Sequence, residues 1–175
     1  MKILVIDDTE MNRKSAEMAF EDHELTVVDS YDAAVEVLEK NNYDVVLSDL
    51  LMPASHNMLG PEGMKYAGEL MPVGFALALF AARQGTKYVA VVTATSHHDH
   101  PASAMLDLLD SSTPAFVING AVVGFSNHNM SPVEGTVCPV CHGGEKMGNC
   151  NPCWGTGNMM GKNWKAALSE VMRKT

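Results

Sequence analysis

The sequence predicts a doubly wound α/β fold, in which helices cover both faces of a parallel β-sheet. Strand and helix patterns alternate along most of the 175 residues, and parallel strands require such crossover connections. The strand segments are runs of β-branched residues and leucine, which is typical of strands buried on both faces. The length suits one domain with a small addition.

The first fifty residues predict three strands and two helices. Continuous apolar runs predict strands over residues 3–6, 25–28 and 45–47. Apolar and small side chains recur at helical spacing over residues 10–22, which predicts the first helix. Ser30 is a good N-cap for the second helix. The third strand runs into Asp49.

The alternation continues to residue 118. Residues 50–72 are rich in glycine, methionine and proline and predict a long loop or a broken helix. The pattern then predicts a helix, a strand, a helix and a fifth strand, at residues 73–83, 88–92, 101–109 and 115–118. Asn119-Gly120 predicts a β-hairpin. A last amphipathic helix covers residues 162–174, where Lys162 and three other basic side chains are expected on a solvated face.

Five strand–helix units favour a flavodoxin-like sheet of strand order 2-1-3-4-5, because a closed barrel needs eight units. Residues 126–160 interrupt the pattern with cysteine, glycine, proline and asparagine and offer little to bury. The predicted organisation is therefore an α/β domain over residues 1–125, an insertion over residues 126–160, and a helix over residues 161–175 that completes the domain.

Composition excludes several classes of protein. With 46% hydrophobic residues, the chain is neither collagen-like nor fully disordered. Residues 1–50 hold 13 acidic and 4 basic residues, whereas residues 51–175 hold 8 of each, which does not fit a basic nucleic-acid-binding domain. No apolar run reaches membrane-spanning length, and the acidic pair near the start does not fit a signal peptide. We expect a cytoplasmic protein that binds neither nucleic acid nor membrane.

Three carboxylates follow strands that are predicted to be neighbours. Asp7 and Asp8 follow the first strand and Asp49 ends the third. In the order 2-1-3-4-5 these strand ends form the crevice at the topological switch point. Three carboxylates at one place repel one another unless a hard cation such as Mg²⁺ binds them. A metal site is favoured over solvated or helix-capping aspartates.

These residues resemble a known family, the receiver domain of two-component response regulators. The resemblance covers residues 1–118 and the last helix. It rests on the opening strand with its acidic pair, on the strand and Met52-Pro53 around Asp49, and on Thr93-Ala94 after the fourth strand. It implies a signalling protein in which Asp49 accepts a phosphoryl group from a histidine kinase or another phosphodonor. Any enzymatic activity would be limited to phosphorylation and dephosphorylation of Asp49.

The resemblance also implies the roles of the surrounding residues. Mg²⁺ would be held by Asp8, Asp49 and the backbone carbonyl of Leu51, with Asp7 acting through water. Thr93 would act as a switch residue that hydrogen-bonds the phosphoryl oxygens. Receivers carry a lysine at the end of strand five, and this sequence places Asn119 there. That departure leaves open an alternative, a receiver-like interaction module without phosphotransfer.

A histidine cluster follows the fourth strand. His97, His98 and His100 lie on the same predicted sheet edge as the acidic residues. They are candidates for a second metal site or for acid–base chemistry in a metal-dependent phosphohydrolase, the least favoured function. A polar loop that caps the next helix is slightly favoured over both.

All four cysteines lie in two Cys-x-x-Cys pairs within the insertion. The pairs are Cys138 with Cys141 and Cys150 with Cys153. Four thiolates at this spacing predict a closed structural Zn²⁺ site, and redox dithiols or an iron–sulfur centre are less favoured. The pattern resembles the zinc knuckles of DnaJ-type chaperones. We expect the knuckle beside helix four, strand five and helix five, which is the output face of receivers, where it would serve an unknown protein partner.

Overall fold

The computed structural model describes residues 1–96, 98–109, 115–127, 130–143 and 150–174. The strands in these residues are β1 (Lys2–Ile6), β2 (Glu24–Val28), β3 (Val45–Asp49), β4 (Met52–Pro53), β5 (Leu70–Met71), β6 (Tyr88–Thr93), β7 (Phe116–Ile118), β8 (Ala121–Asn127), β9 (Met130–Pro132) and β10 (Met160–Lys162). The α-helices are α1 (Glu10–Ala19), α2 (Tyr31–Lys40), α3 (Val73–Arg83), α4 (Pro101–Met105) and α5 (Trp164–Arg173).

The central sheet has the strand order β2-β1-β3-β6-β8-β7. The first five of these strands are parallel, and β7 joins the edge antiparallel to β8. The predicted α/β class and flavodoxin-like order are therefore confirmed, with one added edge strand. None of the described helices is long and apolar enough to cross a membrane.

The fifth parallel strand differs from the predicted one. The segment predicted as strand five contains the antiparallel edge strand β7, and β8 takes the fifth parallel position. The predicted hairpin joins the two, with Asn119 and Gly120 at φ 52° and 84°, the left-handed conformation that such turns require. An apolar run of three residues does not encode strand direction, which explains the error.

Two apolar clusters fill the two sides of the sheet. On one side, Leu4 and Ile6 of β1 pack with residues of α2 and α3. On the other side, Ile3 and Val5 pack with residues of α1 and α5, including the fully buried Trp164. Alternate residues of one strand thus enter opposite clusters, as the two-residue period of a strand requires. This double burial fixes the strand ends where the aspartates lie.

Two smaller antiparallel pairs lie outside the central sheet. The pair β4–β5 brackets residues 54–69, which contain two short 3-10 helices, His56–Met58 and Gly63–Tyr66. The pair β9–β10 brackets the cysteine-containing segment and packs against α1. It returns the chain to α5 and so places its last residue, Lys162, beside the carboxyl ends of β1 and β3.

Candidate functional site: an acidic pocket and a cysteine cluster

The three aspartates converge at the carboxyl edge of the sheet. Asp7 directly follows β1, and Asp49 ends β3, whose Ser48 is the register partner of Ile6. One carboxylate oxygen from each of Asp7, Asp8 and Asp49 lies within 4.8 Å of the others. We call this group the acidic pocket. Its all-oxygen donor set suits a hard cation such as Mg²⁺.

Asp7 is fully buried, and both oxygens of its carboxylate accept hydrogen bonds. Oδ1 accepts hydrogen bonds from the backbone N of Thr9 at 2.9 Å and from Nδ2 of Asn12 at 3.0 Å. Oδ2 accepts from the same Asn12 amide at 3.1 Å and from Nζ of Lys162 at 2.6 Å. A carboxylate held in this way keeps one orientation, so it forms a fixed wall of the pocket.

The structure places a lysine in the acidic pocket, which the sequence analysis missed. Nζ of Lys162 lies 2.6 Å from Asp7 and 2.7 Å from Asp49, and only 1% of the residue is exposed. The expectation of a solvated Lys162 was therefore wrong. A buried ammonium is stable only when paired, and the two carboxylates satisfy it.

The expectation that Asn119 occupies the lysine position was also wrong. Asn119 lies in the turn before β8, at the amino end of the parallel strands, where its Nδ2 donates to the carbonyl of Ala82 at 3.2 Å. The carboxyl end of the fifth parallel strand is Asn127, the register partner of Thr93. The chain then runs through the insertion before it supplies Lys162, which directly precedes Asn163, the N-cap of α5.

Helix α1 fixes the backbone of Lys162. The backbone N of Lys162 donates to Oδ1 of Asn12 at 3.0 Å, and its carbonyl accepts from Oγ of Ser15 at 2.7 Å. The indole of Trp164 donates to the carbonyl of Asn12 at 2.8 Å. The neighbouring Gly161 has no room for a side chain, because a Cβ would lie 2.8 Å from Cβ of Ser15. Asn12 thus holds both Asp7 and Lys162.

Burial changes the titration of two pocket aspartates. Burial raises the pKa of Asp49 to about 6, with a further increase from Asp7 that the ammonium of Lys162 opposes. Burial and the charge of Asp7 also raise the pKa of Asp8. The pocket holds three carboxylates and one ammonium, so Lys162 does not balance their charge when all three are ionised. A divalent cation would relieve this excess.

The remaining predicted pocket residues lie around Asp49. The backbone N of Leu51 is 3.4 Å from Oδ1 of Asp49. Thr93 ends β6, next to the register partner of Asp49, and its buried hydroxyl accepts from the backbone N of Thr95 at 3.1 Å. Gly74 of α3 was not predicted, yet a Cβ there would lie 2.3 Å from the carbonyl O of Asp49. Its lack of a side chain lets α3 approach the end of β3.

In the predicted histidine cluster, His100 caps a helix. Nδ1 of His100 accepts from the backbone N of Ala102 at 3.1 Å, which caps α4. The backbone N of His98 donates to Oγ of Ser96 at 3.2 Å. His97 lies outside the described residues. Among the described residues, no histidine belongs to a group that could hold a metal ion.

The four cysteines form a second cluster, in a segment that we call the cysteine module (the described residues 133–143 and 150–159). All four are free thiols with mutual Sγ distances within 4.8 Å. The sulfurs of Cys138 and Cys150 are 3.7 Å apart, and those of Cys141 and Cys153 are 3.5 Å apart. Tetrahedral Zn²⁺ with bonds of about 2.3 Å places its sulfurs about 3.8 Å apart. The donor set therefore fits a zinc knuckle.

The two Cys-x-x-Cys loops have the same backbone shape. In each loop the two residues after the second cysteine have positive φ: His142 and Gly143 at 50° and 75°, Trp154 and Gly155 at 51° and 79°. The backbone N–H of Gly157 faces the thiol of Cys153 and, with the neighbouring thiols, outweighs burial and lowers its pKa to about 6. Amides that face sulfur favour the thiolate form that binds metals.

Comparison with known families gives one match. The family model of the response regulator receiver domain matches residues 3–107. The match covers the three aspartates, Thr93 and α4, and ends before β7, so it includes neither the cysteine module nor Lys162. The comparison with curated proteins found no match.

Proposed function

The chain belongs to the response regulator receiver domain family, and on that premise we propose that Asp49 accepts a phosphoryl group from a histidine kinase or another phosphodonor in the presence of Mg²⁺. A response-regulator-like role in two-component signalling follows from the family itself. The observation that carries the finer proposal is the placement of Lys162, whose ammonium lies 2.7 Å from Asp49 in a pocket of three carboxylates.

Each group of the pocket has a part in phosphoryl transfer. An oxygen of Asp49 forms the new bond to phosphorus while the bond from phosphorus to the donor atom breaks, and the product is an acyl phosphate. Asp8, Asp49 and the carbonyl of Leu51 would hold Mg²⁺, with Asp7 acting through water, and the ion would neutralise charge on the transferring group. Lys162 lies where it can pair with the phosphoryl oxygens, and Thr93 lies at the adjoining strand end.

Lys162 removes the main argument for an interaction module without phosphotransfer. That alternative rested on the absence of a lysine from the end of strand five. A lysine ammonium is present, but it reaches the pocket from β10 instead of from the main sheet. No residue of the described histidine segment favours the phosphohydrolase alternative, since His100 caps a helix.

We further propose that the cysteine module binds one structural Zn²⁺ and provides the output surface. Val137, Val140 and Trp154 of the module are exposed by 63%, 58% and 60%. Exposed apolar side chains in a segment of this size are typical of a protein-binding surface. The expected location of the module, beside helix four, strand five and helix five, was wrong, because β10, which follows the module, packs on α1.

Phosphoryl transfer is tested by incubation with Mg²⁺ and acetyl phosphate, followed by intact-mass analysis. We expect one phosphoryl group per chain, stable in acid and labile in base, as an acyl phosphate is. Asp49→Asn should abolish this adduct. The matched variant Asp44→Asn, one residue before the amino end of β3, should not. An unmodified wild-type chain, or an adduct that persists in Asp49→Asn, would overturn the proposal.

A further inference from the structure

Lys162 reaches the acidic pocket on a two-stranded arm. We call β9 and β10 together the lysine ribbon. Its register pairs Met130 with Lys162 and Pro132 with Met160. Lys162 is the last ribbon residue before α5, and its side chain is fully enclosed. A shift of the ribbon that breaks the contacts of Lys162 with Asn12 and Ser15 would therefore move the ammonium away from Asp7 and Asp49.

Hydrogen bonds continue from the ribbon into the cysteine module. The backbone N of Val133 donates to the carbonyl of Met159 at 2.8 Å, and the N of Met159 donates to Oγ1 of Thr136 at 2.9 Å. The N of Cys138 donates to the carbonyl of Gly157 at 2.8 Å. The two strands of the ribbon are thus joined to the two Cys-x-x-Cys loops by a continuous set of hydrogen bonds.

The cysteine module has almost no apolar core to hold that geometry. Among its described residues, Val133 is the only buried side chain that is not a cysteine or a glycine. The cluster of buried side chains in the module consists of the cysteines themselves. Bonds from four thiolates to one metal ion would therefore be the main source of its folding free energy.

We propose that metal binding by the four cysteines positions Lys162, so that the occupancy of the cysteine cluster sets the affinity of the acidic pocket for a divalent cation and, in the opposite direction, its affinity for a phosphoryl group. The proposal rests on the proposed function for the identity of these two ligands. It assigns the module a regulatory role within the chain, in addition to any role in binding a partner.

The two affinities are expected to change in opposite directions. The ammonium of Lys162 repels a divalent cation that approaches Asp7 and Asp49, and it attracts phosphoryl oxygens. When the metal leaves the cysteines and Lys162 withdraws, affinity for Mg²⁺ should rise and affinity for a phosphoryl analogue should fall. General unfolding would lower both. Coupling between distant sites is commonly about 5- to 100-fold, which is the range expected here.

The fluorescence of a single buried tryptophan can report binding at the acidic pocket. Trp164 is buried with its ring centre 5.4 Å from Nζ of Lys162, whereas the exposed Trp154 directly follows Cys153. In the full-length chain, Trp154→Phe leaves Trp164 as the single tryptophan, because the sequence holds two. Its fluorescence then reports binding at the acidic pocket without any measurement of activity.

The experiment titrates Trp154→Phe with Mg²⁺, and then with beryllium fluoride at saturating Mg²⁺, before and after the zinc is removed. A chromogenic chelator measures the released zinc. The variant Cys138→Ser with Cys153→Ser gives a permanently metal-free module, and Lys162→Gln gives a pocket without the ammonium. We expect zinc removal to increase the affinity for Mg²⁺ and to decrease the affinity for beryllium fluoride. In Lys162→Gln both shifts should already be present, and zinc removal should add nothing.

Three results would overturn the coupling: unchanged affinities after the zinc has left, a loss of both affinities, or an effect of zinc removal that persists in Lys162→Gln. Failure of the proposed function has a different signature. If the zinc-loaded protein binds Mg²⁺ but no beryllium fluoride, phosphoryl transfer to Asp49 is contradicted. The response of Mg²⁺ affinity to zinc removal still tests the coupling in that case.

Discussion

The sheet and the cysteine module hold their functional groups by different means. The aspartates lie at the ends of strands that are buried on both faces by two apolar clusters. Lys162 arrives on a ribbon that leads from a segment whose buried side chains are cysteines and Val133. The negative charges of the pocket therefore rely on apolar burial, which is permanent in the folded protein. In the proposed coupling, its positive charge would rely in part on four thiols that can hold a metal ion.

One site can thus combine two sources of stability. Apolar burial is insensitive to metal and redox conditions, whereas thiolate ligation depends on both. In the proposed coupling, the pocket would respond to conditions that leave an ordinary strand-end site unchanged.

The largest effect is expected from Lys162→Met. Removal of one partner from a buried ion pair leaves uncompensated charge and costs about 3–5 kcal/mol. Asp7 and Asp49 would then repel each other, and Mg²⁺ should restore part of the loss. Chemical denaturation with and without Mg²⁺ measures the free energy of unfolding. The matched variant Lys165→Met, at an exposed position three residues along, should change it by less than about 0.5 kcal/mol.

The next largest effect concerns the cysteine module alone. Structural zinc sites contribute about 10–16 kcal/mol from their ligands together, so loss of one thiolate in Cys138→Ser should weaken zinc binding by about 100-fold or more. Competition with a calibrated chelator measures it. Limited proteolysis of the zinc-free protein should cleave within the module and leave the sheet intact. Cleavage throughout the chain would show that the sheet depends on the module.

A third prediction tests the sheet region at Gly74. A Cβ at this position would lie 2.3 Å from the carbonyl O of Asp49, so Gly74→Ala should cost about 2–3 kcal/mol through a forced backbone shift. The control is Gly60→Ala, where a Cβ meets nothing within 4 Å. Thermal unfolding compares them, and zinc affinity should be the same in both. A stable Gly74→Ala variant would contradict the close approach of α3 to Asp49.

The smallest effect is a pH dependence of stability in the absence of divalent cations. The pKa of Asp49 is raised from 3.8 to about 6, so the folded chain binds a proton more tightly than the unfolded chain. Its stabilising contribution is complete below pH ~4 and is lost as the pH rises through about 6. Asp49→Asn should therefore match the wild type at pH ~4 and exceed its stability by about 2 kcal/mol at pH ~8. Equal stability at both pH values would show that the Asp49 carboxylate is not destabilised by burial.

Sequence patterns predicted the convergence of the three aspartates because apolar runs show where the strands end. The runs before Asp7 and before Asp49 are long enough to be read as buried strands, and parallel order brings their carboxyl ends together. The Cys-x-x-Cys spacing was equally informative because two loops of that shape close one tetrahedral site. In both cases local spacing determines the geometry.

Lys162 was missed because its position depends on contacts that are distant in the sequence. A lysine before an amphipathic helix is usually solvated, and nothing local shows that Asn12, 150 residues earlier, accepts its backbone N–H. A signal was present, since Lys162 stands directly before the last helix, where a lysine that follows strand five would stand if the insertion were removed. The direction of β7 was missed because pairing, not composition, sets it.

In the proposed function, Lys162 and Asp49 form one phosphoryl site. The most direct measurement is a crystal structure of the zinc-loaded protein with Mg²⁺ and beryllium fluoride. We expect the fluoride complex on Asp49, with Nζ of Lys162 and the hydroxyl of Thr93 in contact with its fluorine atoms. A complex bound elsewhere, or one on Asp49 that Lys162 does not touch, would contradict the account.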